Sequence, residues 1–136
     1  MTIIKHSILA LCGAFLYGLI EIAVRGYTHW TMLILGGFCF LVLGWLNEYI
    51  PWEWAITTQA LAGSAAITIA ELLTGIVVNL QLAWDIWDYS DKPYNYLGQI
   101  CAENTFYWFL LSFVGIILDD YLRYRFFDEE KPHYRL

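Results

Sequence analysis

Charge is what this sequence has least of: 15% of its 136 residues are charged, and only seven are basic. Beside 60% hydrophobic and 18% aromatic content, that scarcity excludes an ordinary soluble domain. Residues 31–47, TMLILGGFCFLVLGWLN, have no charge on any helical face, which also rules out a water-soluble bundle. Proline is scarce too, at three residues. Pro51 falls in the NEYIPWEW turn, where it separates two helices without breaking an intrahelical bond, and Pro132 falls in the tail FFDEEKPHYRL, expected to be a frayed end. Three cysteines with no CxxC spacing give neither a disulfide framework nor a cysteine metal site. Cys12 and Cys39 lie in apolar runs, so only Cys101 sits where exposure is expected. No GxSxG, P-loop or GxGxxG motif is present, so serine hydrolysis and nucleotide binding have no motif support. No cofactor, no metal and no nucleic-acid partner is expected, and the chain is read as not an enzyme.

What the sequence does contain is long uncharged runs: 7–20, 26–47, 54–70, 72–84 and 104–118. A spanning helix needs roughly 20 mostly apolar residues. The two runs flanking Glu71 join, which predicts four transmembrane helices near residues 5–25, 30–48, 56–80 and 103–123 in an all-α membrane protein with one domain, 1–136. Glu21 and Arg25 stand where a signal-peptide cleavage site would need small residues, so the first span is expected to be retained. Five of the seven basic residues precede the first span or follow the last, against Arg25 and Lys92 on the other side. This predicts both termini in the cytoplasm and the 81–102 connection outside.

That connection, LQLAWDIWDYSDKPYNYLGQIC, is expected to be an interfacial aromatic and acidic loop. The spacing of Trp84 with Trp87 and of Asp85 with Asp88 predicts a short helical turn that aims its tryptophans at lipid and its aspartates away from it. SDKPYN reads as a turn, with Asn95 the expected N-cap of the last helix.

Small and polar residues gather on single faces: Ala10, Gly13, Ala14, Tyr17, Gly18, Glu21 and Arg25 on the first helix, Gln59, Gly63, Ala66, Ala70, Glu71, Thr74 and Gly75 on the third, Trp108, Ser112, Gly115 and Asp119 on the fourth. Such faces pack against protein, because small residues let helix backbones approach closely in lipid; Gly37 and Gly44 serve the second helix. Glu21 and Arg25, one turn apart, are either an ion pair pinning helix packing or part of an outward-facing cavity. For the cavity speaks the excess of Glu21, Glu71, Asp85, Asp88, Asp91 and Glu103 over Arg25 and Lys92 on that side, a sign that attracts cations. The candidate ligand-binding residues are therefore Glu21, Arg25, His29, Glu71, Asp88 and Asn95. His29 alone reads more readily as an interfacial or capping histidine than as a ligand. Asp119 and Asp120, with Arg123 one turn on, read as a solvated ion-pair rim.

The succession FLYGLIE, RGYTHWTM, GWLNE with a nearby PW, Gln59, Glu71, WDYSDKPYNYLGQIC and ILDDYLRY resembles the small bacterial membrane proteins described as Putative ABC-transporter type IV, over roughly residues 10 to 125. The sequence departs from that pattern after GQIC, where AENTF replaces a more apolar, proline-containing stretch. The resemblance implies a multi-helix integral protein of the bacterial plasma membrane with a part in transport. Any ATP-driven activity then requires a separate ATPase. Four short spans enclose little volume, so a homo-oligomer or a larger membrane partner has to complete a translocation path. The expected function is a transport-associated or ligand-binding membrane protein with a polar, net acidic pocket in the outer half of the bilayer. The alternatives are a structural or regulatory subunit of a larger complex and an interfacial lipid-modifying enzyme using His29 with Glu21 or Asp88.

Overall fold

In the computed structural model, which describes residues 2–49, 54–132 and 134, four helices carry the chain: α1 (Thr2–Arg25), α2 (Trp30–Tyr49), α3 (Ile56–Gly75) and α4 (Ala102–Phe127). The turn around Pro51 lies outside the described residues. Three helices are long and apolar enough to cross a membrane: α1, α4, and α3 together with its π-helical continuation Ile76–Gln81. The apolar part of α2, Trp30–Leu46, is shorter. Each run holds as a helix because its apolar length leaves backbone groups no partner except one another.

The helices form two antiparallel pairs, α1 on α2 and α3 on α4, and α2 also packs against both members of the second pair. Small residues set these approaches. A Cβ on Gly37 would stand 2.7 Å from the Ala10 carbonyl oxygen of α1, and one on Gly44 would stand 2.7 Å from the Asp119 carboxyl carbon of α4. The first contact is with backbone and cannot yield, so α1 and α2 meet this closely only with glycine there. The buried apolar cluster includes Met32, Leu35, Cys39, Leu43, Ile67, Val78, Trp87 and Ile116, which puts the core around α2 and the α3–α4 seam.

The connection from residue 82 to 101 corrects three expectations. It contains no helical turn: Trp84 and Trp87 do not share a lipid-facing side, and Trp87 is turned inward at 5% exposure. The cause is its indole N–H, which donates to the Gln99 carbonyl at 2.9 Å, while Gly75 leaves room for the ring edge. Asn95 does not cap α4. It lies in a two-stranded hairpin, Asn95–Tyr96 with Ile100–Cys101, accepts from Gly98 N–H at 3.1 Å and donates to the Lys92 carbonyl at 2.8 Å. Cys101, in extended conformation, precedes α4 without any side-chain cap. It is buried at 2% exposure, against expectation, because its strand packs on α3 and on the start of α4.

Four non-glycine residues of this loop, Ala83, Asp85, Tyr94 and Leu97, hold positive φ, a costly conformation that persists only where surrounding contacts impose it. Asn79, presented by the π-helical turn, supplies such contacts. Its Oδ1 accepts from Ile86 N–H at 2.7 Å and its Nδ2 donates to Gln99 Oε1 at 2.8 Å.

At the opposite end the tail is not frayed as far as it is described. Lys5 pairs with Glu129 at 2.9 Å, and the Tyr134 hydroxyl donates to Asp120 at 2.7 Å, tying the segment after α4 to α1 and to α4 itself. Burial and the Asp120 carboxylate hold the Tyr134 phenol above its usual range, so it stays a donor.

Because Trp87 is the inward anchor, Trp87→Ala should lower unfolding stability by about 3–5 kcal/mol. Trp84→Ala, at a 46% exposed ring, should change it by no more than about 0.5 kcal/mol. Thermal unfolding of both variants in one detergent checks this; equal effects would contradict the inward assignment.

Candidate functional site

Among α1, α2, α3 and α4, beside Glu71, lies a cavity of about 120 Å³. Its walls are apolar: Leu16 and Ile20 from α1, Cys39 and Leu43 from α2, Ile67 from α3, Leu111 and Leu118 from α4. Glu71 is the single charged side chain among its lining residues, and Tyr17 and Trp108, with ring centroids 5.8 Å apart, line it as well. The described cavity thus differs from the polar, net acidic pocket expected from the sequence. Most of the acids on that side belong to the loop and the start of α4, which fold against themselves.

Glu71 reaches this position from the protein-facing stripe of α3 and is 1% exposed. Its Oε1 accepts from the Trp108 indole N–H at 3.3 Å and its Oε2 from the Tyr89 hydroxyl at 3.2 Å. Asn104 in turn donates to the Tyr89 oxygen. Burial, the Glu71 charge and the hydrogen bond to it hold the Tyr89 phenol well above its ordinary range. The phenol therefore stays protonated and keeps donating. Through Tyr89 the loop is bonded to α3, and through Trp108 α4 is bonded to the same carboxyl.

The other candidate residues separate into distinct settings. Glu21, 5% exposed, pairs with Arg25 at 3.2 Å, one turn away on α1. Arg25 extends further: its second nitrogen donates to the Tyr27 hydroxyl at 2.9 Å and to the Ile86 carbonyl at 3.0 Å, and its guanidinium lies 4.6 Å over the Tyr27 ring. The pair ties α1 to the loop. His29 is engaged with Thr31 at 2.7 Å and stands beside the rings of Trp30 and Trp84 at 5.5 and 6.1 Å. Asp88 is exposed and accepts from Ser90 N–H at 2.9 Å, a bond that holds its carboxyl below the usual range. Asn95 organises the hairpin, as described. None of Glu21, Arg25, His29, Asp88 and Asn95 lines the cavity, while Glu71 does. Among the described residues no group of three His, Cys, Asp or Glu side chains is arranged to hold a metal ion.

Sequence reasoning missed Tyr89 and the role of Trp108. Trp108 stood on a face marked as protein-contacting, but its acceptor was invisible; Tyr89 looked like one more ring of an interfacial belt. It also misread Asp119 and Arg123, which form a buried ion pair and not a solvated rim. Arg123 Nε lies 2.7 Å from Asp119 Oδ2, with side-chain exposures of 4% and 0%. The fourth helix continues to Phe127, past the expected end near 123, and its C-terminal cap with the segment beyond it covers that pair.

Long apolar helices, small-residue seams and a buried carboxyl held between a loop and two helices define a multi-helix integral membrane protein. More specifically, the chain belongs to the Putative ABC-transporter type IV family, whose model matches residues 3–132. No curated protein and no solved structure matches it.

Removing one partner of a buried ion pair strands the other charge, so Asp119→Asn should destabilise the protein by about 3–5 kcal/mol. Lys92→Met breaks the more exposed pair with Glu103, 3.4 Å long, and should cost no more than about 1 kcal/mol. Unfolding midpoints of the two variants decide the matter; a mild Asp119→Asn would contradict the buried assignment.

Proposed function

We propose that the chain is the membrane-embedded part of a transport system, binding its ligand in the cavity headed by Glu71. In this reading all four helices span the bacterial plasma membrane, both termini are cytoplasmic, and the loop 82–101 lies in the outer half, roofing the cavity. The chain carries no catalytic centre of its own. A separate ATPase supplies energy, and a second copy or a larger membrane partner completes the path. Family membership supports the transport assignment. The gathering of Lys5, Arg123, Arg125 and Lys131 at one end supports the orientation.

The observation that carries the reading is the placement of Glu71, 1% exposed in an apolar wall. An ionisable group there is costly to bury, and such groups inside a membrane mark ligand or ion pathways. The arrangement of Glu21 with Arg25, paired and tied to the loop, fits a structural role for those two residues within the same assembly.

Affinity purification from native membranes under mild detergent should recover a nucleotide-binding ATPase with the chain. In intact cells a membrane-impermeant maleimide should label Tyr94→Cys, and should label Lys131→Cys only after permeabilisation. Background is low because Cys39 and Cys101 are buried and Cys12, of intermediate exposure, sits within the apolar run of α1; Cys12→Ser removes what remains. Recovery of the chain without an ATPase, or labelling of Lys131→Cys from outside, would overturn the proposal.

A further inference from the structure

Glu71 differs from Glu21 and Asp119, two other deeply buried acids of the bundle, in what faces it. Glu21 has Arg25 and Asp119 has Arg123, whereas among the described residues no basic side chain lies within ion-pair distance of Glu71. Its oxygens take one hydrogen bond each, both from neutral donors, although a carboxylate offers about four acceptor positions. The group therefore retains acceptor capacity, and lacks a basic partner, at the wall of a cavity.

The shape of that cavity limits what can meet the charge. Its lining along α4 runs from Trp108 to Leu118, which at the helical rise is about 15 Å, half of a hydrocarbon core of roughly 30 Å. The stretch lies across the middle of the span expected at 103–123, and a chain along it extends about as far as one leaflet is deep. The rim residues Ile20 and Val114 are 39% and 60% exposed, so the cavity opens sideways between α1 and α4 toward lipid. At about 120 Å³ it has no room for a helix, whose width is about 10 Å, nor for a whole long chain; being open on one side, it can take one flank of a single hydrocarbon chain as a groove does, the other flank staying in lipid. No Lys or Arg lines it, which disfavours an anionic head such as a phosphodiester or carboxylate. An ammonium, with three donors and one positive charge, matches the vacant acceptor positions, and Tyr17 and Trp108, which line the same cavity, are rings of the kind that attract a cation.

We propose that the cavity binds a single-chain amphiphile with a protonated amine head, its chain entering between α1 and α4 and its ammonium meeting Glu71. The inference rests on the ligand-site reading above and narrows it to a substrate class.

The test uses the full chain in phosphatidylcholine nanodiscs with a long-chain primary amine bearing a diazirine at its far end. After photolysis, peptide mass spectrometry should find label on the Val114–Leu118 stretch of α4 and on the facing part of α2. Dodecylamine should compete it away, and dodecanol and dodecanoate should do so about tenfold less well, a difference of about 1.4 kcal/mol. Glu71→Gln should abolish the preference for the amine over the alcohol. Val114→Trp, at an exposed rim position, should block labelling altogether. Equal competition by dodecanol and dodecylamine on the unaltered protein overturns the amine assignment without relying on any variant. Labelling undiminished by Val114→Trp overturns the location. Recovery of the ATPase is scored separately, so its presence alongside either negative result would reject the ligand class while leaving the transport reading standing.

Discussion

A carboxyl group at 1% exposure inside an apolar bundle has to be bonded by whatever surrounds it, and at Glu71 the surroundings come from three parts of the chain. α3 carries the acid, α4 reaches it through Trp108, and the loop reaches it through Tyr89. Donors from two segments thus meet at one carboxyl, which seats the loop on the helices together with the bonds from Asn104 to Tyr89 and from Arg25 to Ile86. The cavity exists beneath that node. One end closes where Tyr17, Glu71 and Trp108 meet, and its remaining walls are the apolar sides of α1, α2, α3 and α4.

The rest of the loop is arranged so that Tyr89 arrives where it is needed. Asn79 holds Ile86 and Gln99, Gln99 holds Trp87, and Arg25 holds Ile86 from the side of α1. These bonds sustain a backbone with four non-glycine residues at positive φ. At the far end of the bundle the buried Asp119–Arg123 pair and the links through Glu129 and Asp120 play the matching part, joining the tail to α1 and α4. The bundle is thus closed at both ends by polar contacts, while lipid-facing residues such as Leu11, Ile34, Leu61 and Val114 stay exposed along its length. In hydrocarbon, polar contacts and small-residue packing do what apolar burial does in water.

The helices were legible because a long apolar run announces itself by length: 5–25, 30–48, 56–80 and 103–123 each lie within a few residues of an observed helix, three of them long and apolar enough to cross a membrane. The faces were legible for a related reason, since Gly13, Gly18, Glu21, Gly63, Glu71, Ser112 and Asp119 recur at helical spacing and are buried. The loop was not legible. Trp84 and Trp87 have the same side chain three residues apart, and only the acceptor at Gln99, brought near by the hairpin, sends one inward and leaves the other exposed. Asp119 defeated the reading similarly, because its surroundings come from Gly44 of another helix and from the residues beyond α4. In the site, Glu71 was legible as an intramembrane acid, but its partners Tyr89 and Trp108 lie 18 and 37 residues away and no periodicity connects them.

The account depends on Glu71 and Tyr89 acting as one unit joining loop and bundle, and a double-mutant cycle measures that directly. Unfolding free energies of Glu71→Gln, Tyr89→Phe and the combined variant should depart from additivity by about 1–2 kcal/mol, as for residues in one buried hydrogen-bond network. Additivity within about 0.3–0.5 kcal/mol would mean that the two side chains do not communicate, and that the loop is held on the bundle by something else.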